Sequence, residues 1–206
     1  MLAELTVKEF MEQLSQGTPM PGGGSVAALS GAAAADLVAM VCALTIGKKG
    51  YEDSWEELRE IEKKAKQAGE ELLGAMDEDA QAYSDVVACF RMPKETGEEK
   101  KIRAEKIQLE TKNAAQVPLR TAETAAGLFD LAEITVEKGN KNAVSDGAIA
   151  AMMARNAVLS ALYNVEINAV SLKDEAEKNR LLKRSQELKE LSAKREAEIL
   201  AKVSFQ

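Results

Sequence analysis

The chain contains no histidine among its 206 residues. Histidine is the usual base of Ser–His–Asp and Cys–His nucleophile systems, so its absence excludes those hydrolase classes. Zinc sites that need histidine and the Glu-x-x-His di-iron bundle are excluded for the same reason. Any proton transfer must therefore use Asp, Glu, Lys, Tyr or water, and we expect no metal cofactor.

Aromatic residues and cysteines are also scarce. Aromatics make up 4% of a chain that is 46% hydrophobic, so the core must be built from Ala, Leu, Val, Ile and Met, which suits close helix packing. The two cysteines, Cys42 and Cys89, lie in helical patterns, and no signal peptide precedes them. This predicts reduced, buried thiols and a cytoplasmic location.

Positive charge is not in excess, since the formal net charge is −7. That balance argues against nucleic acid and against an anionic membrane surface as partners. Residues 26–46 are apolar over a length that approaches a membrane span. They are dominated by Ala and Gly and include Asp36, which disfavours insertion. We expect a helix buried in protein and no membrane partner.

Strand-like alternation is nearly absent, and only four prolines interrupt the chain. Capping boxes starting at Thr6, Ser54 and Thr96 predict helix starts, and Ser25 is a good N-cap for another helix. Pro118 is expected to kink or divide the fourth helix. The pattern predicts a single all-α domain over 1–206, an elongated bundle of about six long helices. Their expected ranges are 6–17, 25–46, 54 to just before 93, 96–139, 145–170 and 174–202.

Small residues recur every three or four positions in two of these helices. One strip contains Gly31, Ala35, Ala39 and Ala43, and the other contains Ala150, Ala154, Ala157 and Ala161. Such strips let helix backbones approach closely, so we expect a bundle centre or a dimer seam there. The long third helix cannot bury both ends in one small bundle. This predicts a homodimer with the site at or near the subunit interface.

Three consecutive glycines, Gly22, Gly23 and Gly24, precede Ser25 and an Ala-rich helix. Glycines let a ligand approach the backbone, and a helix N-terminus offers unpaired N–H groups and partial positive charge. A carboxylate, a phosphate or an electron-rich ring edge fits such a place. The alternative is a loop that merely turns tightly over a packed helix.

Asp79 and Tyr83 lie four residues apart and share one face of the third helix. A carboxylate beside a phenol on a half-buried face suits acid–base chemistry or substrate anchoring. The alternative is that Asp77, Glu78 and Asp79 are solvated charges and that Tyr83 belongs to the core.

Two further pairs mark helix ends. Arg91 and Lys94 either stabilise the last carbonyls of the third helix or bind a carboxylate. Ser145 or Asp146 is expected to cap the fifth helix, with Asp146 also an acceptor near its N-terminus.

Asn164 and Asn168 lie four residues apart in an apolar stretch of the fifth helix. Buried amides need hydrogen-bond partners, so each belongs either to a core network or to a ligand site.

Four blocks of the sequence together resemble the formiminotransferase-cyclodeaminase C-terminal domain family. The blocks appear in family order and cover most of residues 3–175. They are Pro-Gly-Gly-Gly-Ser-Val-Ala-Ala-Leu-Ser-Gly-Ala at 21–32, Asp79-x-x-x-Tyr83 leading into Phe-Arg-Met-Pro-Lys at 90–94, Lys-Ile-Gln at 106–108 through Val-Pro-Leu at 117–119, and Gly-Asn-x-x-x-Val-Ser-Asp at 139–146 followed by Asn-Val-x-Ile-Asn at 164–168.

The resemblance implies an elongated all-α homodimer that takes a tetrahydrofolate derivative as its small-molecule substrate. It implies formimidoyltetrahydrofolate cyclodeaminase, which closes 5-formiminotetrahydrofolate to 5,10-methenyltetrahydrofolate and releases ammonia. The alternative within the family is methenyltetrahydrofolate cyclohydrolase, which converts the methenyl form to 10-formyltetrahydrofolate. With no room for a transferase domain, a stand-alone version is expected.

Roles for the site residues follow from the matched positions. Asp79, Tyr83 and Asp146 are the expected catalytic residues, with Asp79 moving the proton and Tyr83 orienting it. The expected binding residues are Gly22, Gly23, Gly24, Ser25, Arg91, Lys94, Ser145, Asn164 and Asn168. Of these, Arg91 and Lys94 would attract the anionic glutamate tail.

Two function classes compete with the enzyme. A helical scaffold or coiled-coil adaptor explains the last, charged helix and the alanine strips, but it does not call for the triple glycine or the buried Asn and Asp residues. A binding-only helical dimer for folate or another anion keeps the site without the chemistry.

Overall fold

The computed structural model describes residues 1–205, and these residues form six α-helices and no strand. The predicted all-α fold is confirmed. The helices are α1 (Val7–Leu14), α2 (Gly23–Ala43), α3 (Trp55–Phe90), α4 (Gly97–Lys138), α5 (Val144–Ala169) and α6 (Glu175–Leu200).

The two longest helices give the bundle its length. α3 has 36 residues and α4 has 42, so at 1.5 Å per residue they extend over about 54 and 63 Å. Pro118 lies inside α4, and the helix continues through it. Of the two outcomes expected at this residue, division of the helix is therefore wrong.

The three helices with a predicted capping box begin where expected, directly after Thr6, Ser54 and Thr96, but only two of the boxes form. The hydroxyls of Thr6 and Thr96 each accept from the N–H three residues ahead, and Glu9 and Glu99 complete the two boxes. Ser54 is the N-cap of α3 as expected, but its side chain makes no capping hydrogen bond, so only the predicted box is wrong at this position. Its φ of −101° and ψ of −9° lie in the helical region after a 3₁₀ turn, whereas a capping residue normally has extended backbone.

The prediction that Ser25 caps α2 is also wrong. The helix begins at Gly23 with Gly22 as its N-cap, so Ser25 lies inside the first turn and is buried. Its hydroxyl lies 3.1 Å from the carbonyl oxygen of Met76 on α3. A contact between two helices has replaced a local cap.

α2 lies at the centre of the bundle, against α3, α5 and part of α4. A side chain on Gly31 would approach Leu72 of α3 to 3.0 Å and Ala157 of α5 to 3.4 Å, so the glycine permits this spacing. Both strips are buried except at Ala43, as expected for a bundle centre. Among residues 1–205, α2 alone is long and apolar enough to cross a membrane, and most of that segment is buried in the protein.

Candidate active site

A cleft of about 330 Å³ lies between the first turn of α2, the second half of α3 and the last third of α5. This volume lies in the range of small-molecule sites. The cleft brings together residues predicted separately from three parts of the sequence. They are Gly22, Gly23, Gly24, Asp79, Tyr83, Asn164 and Asn168.

The carboxylate of Asp79 lies directly against the backbone of Gly24. An ideal Cβ on Gly24 would stand 2.0 Å from Oδ1 of Asp79, a separation that real Cβ atoms do not show. The Ser25 hydroxyl lies 3.4 Å from Oδ2 of Asp79. The triple glycine therefore does more than turn the chain, since it admits a carboxylate to the N-terminus of α2.

Burial raises the pKa of Asp79 above its ordinary value, while hydrogen bonds from the Ser25 hydroxyl and backbone act in the opposite direction. A carboxyl group with a raised pKa gives up and takes back a proton closer to neutral pH. General acid–base catalysis requires this property.

The three consecutive acids of α3 have different environments. Asp77 accepts a 2.8 Å hydrogen bond from the N–H of Leu2, and Glu78 pairs with Arg120 at 2.7 Å. Asp79 alone lines the cleft. The interpretation of all three as solvated charges therefore fails for Asp79.

Tyr83 lies one helical turn after Asp79 and lines the same cleft. It is 42% exposed, so the alternative that it is a core residue is wrong. Its ring forms part of the cleft wall, beside the carboxylate.

The amides of Asn164 and Asn168 are held by backbone carbonyls. Nδ2 of Asn164 donates to the carbonyl of Ser160 at 2.9 Å, and Nδ2 of Asn168 donates to those of Ala114 and Asn164 at 3.0 and 2.9 Å. A carbonyl oxygen only accepts, so these contacts assign the orientation of both amides. Each Oδ1 atom is left as an acceptor at the cleft.

Ser145 and Asp146 do not reach this cleft within one chain. They lie in the first turn of α5, and Asp146 precedes Asn164 by 18 positions, about 27 Å along the helix. The expected capping role is also wrong, because Ala143 is the N-cap and makes no side-chain bond. A 3₁₀ turn capped by Asn140 leads straight into α5 and takes the place of a side-chain cap.

Arg91 and Lys94 lie outside the cleft, exposed beyond the end of α3. Arg91 follows Asp79 by 12 positions, about 18 Å along the same helix. Neither side chain forms an ion pair with any carboxylate in the described range 1–205. Ser25 lies behind Asp79 and does not line the cleft.

Several lining residues were not predicted, namely Pro19, Met20, Ala82, Val86, Ala114 and Ile167. Helical spacing from Asp79 points to Ala82 and Val86, which are three and seven positions further on. Ser84 donates to the sulfur of Met20 at 3.6 Å, which ties the glycine loop to α3. No pattern in the sequence identifies Ala114.

A larger cavity of about 440 Å³ lies at the opposite end of the bundle. Two of its lysines, Lys138 and Lys202, already pair with Glu57 and Glu137 at 2.6 and 2.5 Å. The smaller cleft is the better candidate because it combines a half-buried carboxylate with two available amide oxygens.

Comparison with known proteins gives consistent results. Residues 6–187 match the formiminotransferase-cyclodeaminase family. The chain is 42% identical over 171 residues to a methenyltetrahydrofolate cyclohydrolase from Methylorubrum extorquens, covering 83% of this chain and 82% of the relative. It is 30% identical over 179 residues to the rat formimidoyltransferase-cyclodeaminase, covering 87% of this chain and 33% of that longer relative.

The fold agrees with these matches. The crystal structure of a formiminotetrahydrofolate cyclodeaminase from Thermotoga maritima superimposes with a TM-score of 0.88 at 28% identity, and the match covers 98% of both chains. The prediction that the chain is an enzyme is confirmed, and the scaffold and binding-only alternatives are set aside. By sequence and by fold, the chain belongs to the formiminotransferase-cyclodeaminase family.

Proposed function

We propose that the enzyme acts on the one-carbon unit of a tetrahydrofolate derivative, and that its activity is that of a formimidoyltetrahydrofolate cyclodeaminase. The observation that carries the proposal is the half-buried carboxyl of Asp79, set against the glycine backbone of α2 and lining the cleft with Tyr83. The likeness to the Thermotoga maritima cyclodeaminase over nearly the whole of both chains supports it.

In this reaction, N10 of the folate attacks the formimino carbon and forms a tetrahedral centre between N5 and N10. The proton that leaves N10 must reach the departing nitrogen, which then leaves as ammonia, and the methenyl bridge remains. One carboxyl group that accepts and then returns a proton can serve both steps. Asp79 takes this role, and Tyr83 orients the proton. The cleft walls hold the ring system in place.

Methenyltetrahydrofolate cyclohydrolase is the second candidate, and the 42% identity to such an enzyme favours it. Water adds to the methenyl carbon, and its oxygen loses both protons. N5 takes up one of them as its bond to that carbon breaks, and the other is released, so the cationic methenyl form gives the neutral 10-formyl product. The demands on Asp79 are the same, so the two reactions must be separated by assay.

The test is an assay of the purified protein with 5-formiminotetrahydrofolate and, separately, with 5,10-methenyltetrahydrofolate. With 5-formiminotetrahydrofolate, we expect ammonia together with the absorbance of the methenyl product. With 5,10-methenyltetrahydrofolate, a decay of its absorbance, together with no reaction of the formimino substrate, would instead establish the cyclohydrolase. A protein that turns over neither compound would refute the proposed function.

The homodimer expected from the sequence forms part of this proposal. Apolar side chains on the outer face of α5 remain uncovered, with Ile149, Met152, Tyr163 and Ile167 between 44% and 68% exposed. Met40 of α2 and Leu44, which directly follows α2, are also exposed, at 39% and 49%. We define these six residues as the α2/α5 face, since α2 packs against α5, and exposed apolar side chains grouped on neighbouring helices are typical of an interface.

A two-fold pairing of this face would complete the site. If two α5 helices pack antiparallel about a point near Asn156, the partner subunit's Asp146 lies opposite Glu166, between Asn164 and Asn168. Ile167 belongs both to the face and to the cleft, so the interface and the site are continuous. This arrangement supplies Asp146 and Ser145 from the second copy, since isologous contacts make the two sites equivalent.

The proposal extends to the substrate's glutamate tail, to metals and macromolecular partners, and to location. Arg91 and Lys94 attract the glutamate tail from the exposed end of α3. The reaction uses no metal, and nucleic acid and membranes are not partners. Both cysteines are free and buried, which supports a reducing, cytoplasmic location.

A further inference from the structure

Pro118 leaves one backbone carbonyl of α4 without its helical partner. In an α-helix, the N–H of residue 118 would donate to the carbonyl of residue 114. Proline has no N–H, and its ring also crowds the carbonyl four residues earlier and turns it outward. The carbonyl of Ala114 therefore needs a donor from elsewhere.

Asn168 supplies that donor. Its Nδ2 atom lies 3.0 Å from the carbonyl oxygen of Ala114, across the α4–α5 contact, and 2.9 Å from that of Asn164. Two acceptors thus hold one amide nitrogen in place. Because the amide is planar, Oδ1 is the atom that remains available, and Asn168 lines the cleft.

We propose that Pro118 is a positioning residue for the site, because the carbonyl it frees on Ala114 holds the amide of Asn168 with Oδ1 presented to the ligand. That oxygen accepts a hydrogen bond from an N–H edge of the ligand. This rests on the proposed function, in which the edge belongs to a reduced pterin, whose ring carries both an amide N–H and an amino group.

Helix stability gives no reason for proline at this position. Pro118 is buried in the interior of a 42-residue helix, where proline is the least favourable residue. Any other residue would close the hydrogen bond to Ala114 within α4. The amide of Asn168 would then compete for an acceptor that is already paired and turned back toward the helix axis.

The functional test combines substitutions at the two positions. Pro118→Ala and Pro118→Val both restore the N–H, and valine keeps most of the buried volume. We expect each to raise KM for the folate about threefold to tenfold with a smaller change in kcat, as for loss of one oriented hydrogen bond. When the same changes are made in the Asn168→Ala variant, the KM should equal that of Asn168→Ala alone.

Thr121→Val is the matched control. Thr121 is buried one turn further along α4, and its hydroxyl donates to the carbonyl of Val117 at 3.3 Å rather than to Asn168. We expect an unchanged KM. If Pro118→Ala raises KM equally with and without Asn168, the effect is general packing and the proposal is overturned.

A second readout does not depend on catalysis. The side-chain amide signals of Asn168 in a ¹H–¹⁵N spectrum, assigned by their loss in Asn168→Ala, should shift in Pro118→Ala and in Pro118→Val but not in Thr121→Val. Unchanged signals in both proline variants overturn the proposal. Shifted signals in a protein without folate activity would keep the positioning role and refute only the proposed function.

Discussion

Oδ1 of Asp79 occupies the space that a side chain on Gly24 would need, since an ideal Cβ there would lie 2.0 Å away. The two residues are 55 positions apart in sequence, on α3 and α2. Their contact places a carboxylate at a helix N-terminus that has no side-chain cap of its own. The first turn of α2 therefore shapes both the cleft and the environment of its acidic group.

Gly24→Ala should displace Asp79 and lower kcat by about 100-fold, the lower range of acid–base contributions. Gly23→Ala should cost far less, because its Cβ would meet Asn164 at an ordinary 3.6 Å. Steady-state kinetics on both variants measures the difference. Gly74→Ala, where nothing lies within 4 Å, controls for helix propensity and should stabilise α3 by about 1 kcal/mol. Equal losses at Gly24 and Gly23 would contradict the assigned contact.

Asp79→Asn should lose at least about 100-fold in kcat while still folding, because the amide keeps the shape but not the proton transfer. Asp77→Asn is the matched control. Asp77 only accepts from the N–H of Leu2, and an amide oxygen can replace it there. Near-normal turnover in Asp79→Asn would remove Asp79 from the mechanism.

The raised pKa of Asp79 also predicts how stability depends on pH. The ordinary value is 3.8, and the folded state holds its proton to higher pH than the unfolded state does. The stability contributed by this group is therefore fully present below 3.8 and is lost as pH rises through the folded pKa. Relative to the wild type, Asp79→Asn should gain stability as pH rises through this window. Urea unfolding of both proteins across that window measures the difference, and a constant difference would contradict a raised pKa.

Asp146 can act only from a second copy if the proposed dimer is right. Asp79→Asn and Asp146→Asn should each be nearly inactive alone. After unfolding and refolding as an equal mixture, random pairing gives heterodimers with one intact site, so about a quarter of wild-type activity should return. No recovery would mean that Asp146 does not complete the site of the partner.

Met152→Glu should convert the proposed dimer to a monomer, since it places a charge within the α2/α5 face. Light scattering after size-exclusion chromatography measures the mass. Met11→Glu is the matched control, because Met11 on α1 is 50% exposed against 45% for Met152 and lies away from this face. A wild-type protein that is monomeric at micromolar concentration would refute the proposed dimer.

Features that depend on a few neighbouring residues could be predicted from the sequence. The capping boxes at Thr6 and Thr96 form as expected, because the capping residue and its partner are only three residues apart in the chain. Asp79 and Tyr83 share a face because four residues make about one helical turn. The same spacing brings Asn164 and Asn168 to one wall of the cleft.

The errors lie where a distant partner competes with a local one. Serine is a residue type that commonly caps helices, but the hydroxyl of Ser25 donates to the carbonyl of Met76 on α3 and does not cap α2. Asp146 belongs to the same sequence block as Asn164, yet 18 positions of helical rise along α5 place the two about 27 Å apart in one chain.

The sequence by itself determined the helices, the class of chemistry open to a protein without histidine, and the residue types of the site. Periodicity and capping act over one or two turns, where rise and rotation per residue are constant. Only the tertiary structure decided that Asp79 meets Gly24 and that Asn168 meets the carbonyl freed by Pro118. Those contacts join segments more than 50 residues apart, and their geometry depends on how every buried side chain between the helices packs.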